Sequence, residues 1–145
     1  MIDMLPTLAL AAKHVKDRLP QSPGRLSGKV AIVTGSAQGF GLGIAQELYQ
    51  EGAFVVIADL NEPVAQQVAQ GLGERAMAVK VDVSDEKSVA DMVIKTVARF
   101  RGLDLFISNA GVLKAGSLEE MEKKDFEFVT AVNYTAFFTC VKYAS

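Results

Sequence analysis

The sequence has little of what several classes of protein depend on. It contains one cysteine, Cys140, and one histidine, His14, and it has no tryptophan. A single cysteine excludes a disulfide framework and a cysteine-based metal site within one chain, so we predict no metal site. Because Cys140 lies in an apolar run, we expect a small buried side chain. This cysteine usage fits a reducing cytoplasm, which is the location we expect.

Charge of one sign and long apolar runs are also lacking. Lys and Arg total 15 against 17 Asp and Glu, for a net charge of −2 without a basic cluster. We therefore expect no binding to nucleic acid or to an anionic membrane. The apolar segment Leu5–Ala12 is shorter than a membrane span and follows Asp3 rather than a basic cluster, so we expect neither a membrane anchor nor a signal peptide.

What the sequence does contain is enough apolar material for one core. Half of its 145 residues are apolar and 22% are charged, which predicts one domain. The segment Leu19–Gly24 carries two prolines and a glycine, a composition typical of a linker. We therefore divide the chain into an N-terminal appendage over residues 1–24 and a domain over residues 25–145. His14 falls in the appendage and is not expected to act as a catalytic base.

From Lys29 onward, apolar runs of strand length alternate with amphipathic stretches of helix length. This alternation predicts an α/β domain with a Rossmann-type, doubly wound parallel sheet, truncated after the fourth strand and the helix that follows it. The predicted strands are Val30–Val33, Phe54–Ala58, Ala76–Val81 and Leu103–Ser108.

Helix caps are predicted between and after these strands. Asn61 and Ser84 stand where the second and third helices begin. Ser117 and Glu120 have the spacing of a capping box ahead of a last helix, which we expect from about Lys124 to the end of the sequence. Apolar residues cover more than one face of that last helix, so we expect it to have a partner on both sides.

A glycine-rich turn follows the first strand and opens the first helix. Such a turn brings backbone N–H groups and a helix N-terminus to one point, which attracts an anionic pyrophosphate. Glycine is needed because a Cβ would block positive φ angles and the close approach of the phosphate. The alternative is an ordinary tight turn, but the position within a βαβ unit favours a phosphate site. The residues predicted to bind the cofactor here are Gly35, Ser36, Gln38, Gly39, Phe40 and Gly41.

An acidic residue, Asp59, closes the second strand. An acid at this point can accept hydrogen bonds from the adenosine ribose hydroxyls, and its charge would repel a 2′-phosphate. No Lys or Arg stands in the glycine-rich turn or directly after Asp59, so the sequence favours NAD over NADP. Leu60, the next residue, is assigned to the same site. The alternative is a solvated acid at a strand end.

The spacing T-G-x-x-x-G-x-G from Thr34 to Gly41 resembles the short-chain dehydrogenase/reductase family of the classical type. Over residues 26–145 the sequence also resembles the family at Asp82-Val83 after the third strand. The resemblance implies that this pair holds adenine. Asp82 could alternatively be an acid at the start of a helix.

Two later motifs extend the resemblance. Asn109-Ala110-Gly111 matches the family's N-A-G motif at the end of the fourth strand, which implies contact with the cofactor. Asn133 in the last helix matches an asparagine that helps to order a catalytic lysine through water. Asn109 could alternatively be a simple strand terminator, and Asn133 could only satisfy a backbone carbonyl.

The sequence also departs from the family. Family members carry a serine and a Tyr-x-x-x-Lys pair downstream of the helix that holds Asn133, and the sequence ends before them. None of Tyr49, Tyr134 and Tyr143 is followed by lysine four residues later, so the resemblance leaves Asn133 as the only catalytic residue. Phe40 stands where a small aliphatic residue is commoner. We expect a truncated gene product, a fragment or a partial record of a longer enzyme.

The leading functional prediction is an oxidoreductase that moves a hydride between NAD and a secondary alcohol or ketone, with a polyol- or sugar-like substrate. The appendage and linker are similar to the junction in bifunctional bacterial proteins that join a sugar-phosphate aldolase to a dehydrogenase of this family. Sorbitol-6-phosphate dehydrogenase-like members are a general match. The alternatives are a catalytically silent NAD-binding module and a non-functional remnant.

The family commonly pairs the last helix seen here across a dimer axis. The resemblance therefore implies a homo-oligomer formed through this helix, in agreement with its two-sided apolar character. A downstream part of the same chain is the alternative partner.

Overall fold

The computed structural model describes residues 24–145. The predicted appendage up to residue 23, including His14 and most of the predicted linker, lies outside the described residues.

Four strands form one parallel sheet in the order β3-β2-β1-β4. Residues of β1 pair with both neighbours, so that Val33 lies between Ile57 and Ile107. This architecture confirms the predicted α/β fold. The strands are β1 Val30–Thr34, β2 Phe54–Asp59, β3 Ala76–Lys80 and β4 Leu105–Ile107.

Helices follow each strand. The last of them continues through a π-helical turn, in which the N–H of Ala136 donates to the carbonyl of Ala131 five residues earlier. The sequence predicted a regular helix here, and periodicity alone does not reveal such a turn. The helices are α1 Gly39–Gln50, α2 Glu62–Leu72, α3 Glu86–Phe100 and α4 Lys123–Thr130, followed by the π-helical turn Ala131–Thr135 and by α5 Ala136–Ala144.

Helices cover both faces of the sheet. Side chains such as Val33 and Ile57 pack with Ala45 of α1 and Ala65 of α2 on one face. Alternate side chains of the same strands, Ile32 among them, pack on the other face with α3 and α5. Since β1 is buried at every residue, its sequence is continuously apolar rather than alternating.

Cys140 of α5 lies in this second layer, where it is fully buried. Burial raises the pKa of its thiol to about 11, so the side chain is a neutral apolar group at physiological pH. The predicted buried role of Cys140 is confirmed.

The strand order places a crevice at the carboxyl ends of the strands. The chain moves outward from β1 to β2 and β3, then returns to the other side of β1 to form β4. In doubly wound sheets, ligands bind outside the carboxyl ends of the strands where the order reverses, here between β1 and β4.

Cap predictions are confirmed at one helix and wrong at another. Asn61 caps α2, accepting the N–H of Val64. The predicted cap Ser84 is wrong because Asp85 caps α3, accepting the N–H groups of Lys87 and Ser88.

The reason lies in the preceding turn. The carboxylate of Asp82 accepts both the N–H and the hydroxyl of Ser84, at 2.9 and 2.6 Å. These bonds occupy the Ser84 side chain and bring Asp85 to the capping position.

Ser117 and Glu120 do not form the predicted capping box. The N–H of Glu120 donates to the carbonyl of Ser117 in a separate turn, and Glu122 is the residue that precedes α4.

The strand β4 is shorter than predicted, and side chains take part in the hydrogen bonding between β1 and β4 at both of its ends. At its start, Asp104 accepts the N–H of Val30 at 2.8 Å. At its end, the N–H of Asn109 turns to the hydroxyl of Thr34.

Within residues 24–145, no helix has the length and apolar character needed to cross a bilayer.

Candidate functional site

A cavity of about 450 Å³ opens at the carboxyl ends of the strands. Its lining is formed by the turn after β1, by the residues after β2, β3 and β4, and by the helical segment that begins with α4. All predicted site residues except Ser36 and Asn133 belong to it. The lining residues are Gly35, Gln38, Gly39, Phe40, Gly41, Asp59, Leu60, Val81, Asp82, Val83, Asn109, Ala110, Gly111, Val112, Phe128 and Val132.

Two glycines of the turn after β1, residues 34–41 (the glycine loop), bring it against the end of β4. Gly35 has φ +65°, and a Cβ there would lie 2.8 Å from the Cα of Ala110. A Cβ at Gly41 would overlap the carbonyl oxygen of Gly35 and lie 2.5 Å from the Asn109 amide nitrogen. Side chains at these positions would therefore force the loop away from the sheet.

A third glycine of the loop has a different surrounding. Gly39 has φ +60°, and no atom lies within 4 Å of the place where its Cβ would be. Gly39 is the first residue of α1, and the preceding Gln38 makes no side-chain capping bond. Helix N-termini present unpaired N–H groups and a partial positive charge. The open space beside Gly39 therefore fits an anionic group such as a pyrophosphate.

The end of β4 is fastened to the end of β1 by side chains. The amide nitrogen of Asn109 donates to the carbonyls of Thr34 and Gly35, at 2.9 and 3.1 Å. The N–H groups of Asn109 and Ala110 donate to the hydroxyl of Thr34, at 3.0 and 3.1 Å. Thr34 was not predicted as a site residue, although it begins the T-G-x-x-x-G-x-G spacing. It positions the loop and does not line the cavity.

Ser36 lies behind the cavity rather than in it. Its side chain is fully buried, its hydroxyl donates to the carbonyl of Val33 at 2.7 Å, and it accepts the N–H of Ala58 at 3.1 Å. The hydroxyl therefore joins β1 to β2, and Ser36 is not among the residues that line the cavity.

The carboxylate of Asp59 is held in place at the end of β2. One oxygen accepts the N–H of Ala37 and the other accepts the N–H of Asn61, both at 2.9 Å. A carboxylate has about four acceptor positions, so Asp59 can still accept hydrogen bonds from the hydroxyl groups of a ligand. Its backbone contacts fix the direction in which it does so.

Asp82 and Val83 form the next part of the lining. Asp82 is exposed and its N–H donates to the hydroxyl of Ser88 at 3.0 Å. Val83 is buried and packs in the same core as Val81 and Val132. The three valines give this end of the cavity an apolar wall, which suits a flat heterocycle.

Asn133 lies in the π-helical turn and fastens the segment after β4 to the helix. Its carbonyl oxygen accepts the N–H of Val112 and its amide nitrogen donates to the carbonyl of Val112, both at 2.8 Å. Both halves of the amide are thus engaged with backbone, and Asn133 does not line the cavity. Satisfaction of a backbone carbonyl was one of the two sequence interpretations of Asn133, and the carbonyl of Val112 is that partner.

Sequence reasoning missed four lining residues. Val81, Val112, Phe128 and Val132 belong to the cavity, and none of them lies in a motif. Phe128 and Val132 are one helical turn apart, but the helix is apolar on several faces and its sequence does not say which face meets the cavity.

Among residues 24–145, no three His, Cys, Asp or Glu side chains lie close enough to hold a metal ion.

Comparison with known proteins agrees with this geometry. A family model described as short chain dehydrogenase matches residues 29–145. An uncharacterized oxidoreductase from Thermotoga maritima is 41% identical over 123 residues, which are 83% of this chain and 48% of the relative. A 3-beta-hydroxysteroid dehydrogenase from Comamonas testosteroni is 40% identical over 114 residues, which are 79% of this chain and 45% of the relative.

A solved structure shares the fold. The crystal structure of 3-ketoacyl-(acyl-carrier-protein) reductase from Brucella melitensis complexed with NADH superimposes with a TM-score of 0.78 at 35% identity, covering 81% of this chain and 48% of the reductase. The chain spans about half the length of the relatives it matches. Since the family model matches most of the sequence, the chain belongs to the short-chain dehydrogenase family.

Proposed function

We propose that the cavity binds NAD, with the pyrophosphate at the glycine loop, the adenosine ribose at Asp59 and adenine beside Asp82 and Val83. The observation that carries this proposal is the open space at Gly39, at the start of α1, in the same cavity as the fixed carboxylate of Asp59. The NADH bound to the Brucella reductase supports a nicotinamide dinucleotide as the ligand.

The charges around Asp59 favour NAD over NADP. Among residues 24–145, no Lys or Arg lines the cavity. An adjoining surface groove shares Leu60 and Asp82 with it and contains three lysines, but four carboxylates lie in the same groove. A 2′-phosphate on the ribose would meet the charge of Asp59 first, and in the described part of the groove beyond it the carboxylates outnumber the lysines. The charged groove residues are Lys80, Lys87, Lys95, Glu62, Asp82, Asp85 and Asp91.

For the whole protein we propose an oxidoreductase that acts on a secondary alcohol or ketone. A bound nicotinamide would supply the hydride chemistry, and the residues described here would bind and orient the dinucleotide. Asn133 acts in this proposal as a positioning residue, since its amide holds the backbone of Val112 beside the cavity.

We propose no substrate more specific than a secondary alcohol or ketone. The names of the relatives, among them a steroid dehydrogenase and a tropinone reductase-like protein from Erythroxylum coca, give no support to a polyol or sugar. The resemblance to bifunctional aldolase/dehydrogenase proteins and to sorbitol-6-phosphate dehydrogenase-like members stays a prediction.

Titration calorimetry with NADH and NADPH tests the proposed ligand. We expect saturable heat with NADH and weaker binding of NADPH. The variant Asp59→Asn removes the charge while keeping an acceptor, so it should bind NADH more weakly and discriminate less against NADPH. Glu119→Gln, in an exposed loop away from the cavity, is the matched control and should change neither affinity. Absence of saturable heat in the unmodified chain would favour a non-functional remnant.

We also propose a cytoplasmic homo-oligomer, in which the last helix contacts a second copy through α5. The contact is supported by exposed apolar side chains on α5, Phe137, Phe138 and Val141. Light scattering on the full chain would contradict this assembly if it showed a monomer at all concentrations. Fractionation of the source cells tests the location.

A further inference from the structure

Three exposed apolar side chains surround the cavity, one from each of three different elements. They are Phe40 in α1, 90% exposed, Leu60 after β2, 64% exposed, and Phe128 in α4, 55% exposed. The sequence had already assigned Leu60 to the ribose site. The two phenylalanine rings need a separate explanation. Phe40 was predicted to bind the cofactor as part of a loop that acts through its backbone, and Phe128 was not predicted at all.

Phe40 contributes almost nothing to the fold. Its side chain keeps nine-tenths of its surface in water, so the free energy that burial of a phenyl ring releases is not used within the protein. It follows Gly39, where the space beside the backbone is open. A ligand whose phosphates occupy that space would therefore lie beside the base of the Phe40 ring.

Phe128 lies above the apolar wall of the cavity. It precedes Val132 by four residues, so the two side chains share one side of the helical segment. Val132 is 9% exposed and packs in the core, whereas Phe128 is mostly in water. Phe128 is thus the outer of the two and stands at the rim.

We propose that Phe40 and Phe128 are an aromatic rim that covers the bound dinucleotide and that both rings lose their exposure when it binds. The inference rests on the proposed function, because the occupant is the same nicotinamide dinucleotide. It adds to the backbone contacts of the glycine loop a side-chain contribution from the Phe40 ring of the same loop and from Phe128, which lies outside the nucleotide-binding motifs. Aromatic rings suit this role because they bury a large area and stack on heterocycles.

The chain offers a closely matched control. Phe126 lies two residues before Phe128 in α4 and is 62% exposed, but it does not line the cavity. Truncation of either ring removes the same atoms from the same helix. A difference between them in ligand affinity therefore reports position at the cavity rather than loss of a phenyl group.

The test is a titration of the full chain with NADH, followed by nicotinamide fluorescence, for Phe40→Ala, Phe128→Ala, the double variant and Phe126→Ala. Lack of tryptophan leaves the nicotinamide emission free of overlap. Burial of one ring implies roughly a tenfold rise in Kd for each single cavity variant and a larger rise for the double variant. Phe126→Ala should stay within about twofold of the unmodified chain, and Phe40→Leu should recover part of the affinity because it restores apolar area.

Two results would overturn the inference. If the unmodified chain binds NADH and both cavity variants keep its Kd within about twofold, the rim does not contact the ligand while the proposed function stands. If Phe126→Ala weakens binding as much as Phe128→Ala, the effect belongs to the helix and not to the rim. Failure of the unmodified chain to bind NADH would overturn both proposals.

Discussion

Two regions of the molecule differ in how completely their side chains are held by contacts within the protein. One is the glycine loop with the neighbouring strand ends, and the other is the helical segment from α4 to α5. At the strand ends, Thr34, Asn109 and Asp59 each make at least two hydrogen bonds to backbone groups. On the helices, Phe137 and Phe138 keep more than half of their surface in water. The first region is fixed by contacts within the described residues, whereas the second has apolar area available for further packing.

Only the strand ends have the properties of a preformed binding site. A preorganised cradle needs its own groups to be held before the ligand arrives, and the strand ends meet that condition. The helical segment contributes Phe128 and Val132 to the cavity, and its remaining aromatic side chains point elsewhere. Substitutions at the strand ends should therefore change stability and ligand binding. Substitutions on the exposed face of the helical segment should alter self-association of the chain.

The largest expected effect comes from filling the close contact in the glycine loop. Gly41→Ala places a Cβ against the carbonyl of Gly35 and near Asn109, which should destabilise the fold by about 3 kcal/mol. Gly43→Ala is the control in the same helix: nothing lies within 4 Å of its added Cβ, so it should stabilise by up to about 1 kcal/mol. Denaturant unfolding measures both. Equal effects would show that the loop does not press against β4.

A smaller effect is expected at the side-chain link between β1 and β4. Asn109→Ala leaves the carbonyls of Thr34 and Gly35 without their amide donor, which should cost about 2 kcal/mol and weaken NADH binding. Asn61→Ala, which removes only a helix cap, should cost about 1 kcal/mol. The measurement is the free energy of unfolding together with the NADH Kd. A fully stable Asn109→Ala protein would show that the link is dispensable.

A substitution on the exposed face of the helical segment should leave stability nearly unchanged and reduce self-association. Phe138→Ser changes an exposed side chain, so the free energy of unfolding at low protein concentration should change by no more than about 0.5 kcal/mol. Self-association should fall, because the exposed apolar area falls. Sedimentation velocity over a range of concentrations compares the variant with the unmodified chain. Unchanged association would show that this ring is not part of a contact between copies.

The smallest effect is a pH dependence at the junction of α3 and α5. Glu86 accepts from the ammonium of Lys142 at 2.6 Å and from the hydroxyl of Tyr143 at 2.8 Å. Its hydrogen bond with Lys142, and then that with Tyr143, lowers the pKa of Glu86 below the ordinary 4.5. Since the folded-state pKa is the lower one, the contribution is present above pH 4.5 and is lost as pH falls through the lowered value.

Acid unfolding of Glu86→Gln tests this pair. The variant should lose a part of the slope of stability against pH below 4.5, and its stability at neutral pH should change little because the pair is exposed. An unchanged slope would show that Glu86 does not titrate through this contact.

Much of the fold followed from the sequence because it rests on local patterns. The continuous apolar runs of β1 and β2 and the cap at Asn61 depend on neighbours within a few residues. The sequence did not predict the short β4, because the carboxylate of Asp104 accepts the N–H of Val30 across the sheet. It did not predict the cap at Asp85, because the carboxylate of Asp82 accepts the hydroxyl of Ser84 in the preceding turn. The first contact joins distant residues and the second joins near neighbours, but both depend on where a carboxylate lies, and hydrophobic periodicity does not encode this.

The same distinction applies to the site. Gly35, Gly39 and Asp59 could be predicted because their spacing along one βαβ unit carries the chemistry. Ser36 shares the loop, yet its hydroxyl points into the sheet. Phe128 lines the cavity because of how its helix packs on the rest of the fold, and this tertiary arrangement has no local sequence signal.

Amide hydrogen exchange of the full chain with and without NAD reports where the ligand lies. We expect slower exchange over Gly35–Gly41, at Asp59 and Leu60, and over Asn109–Gly111, with no change at the outer edge of β3. Binding of NAD without protection of the glycine loop, or with protection confined to the surface beside β3, would contradict the proposed NAD site.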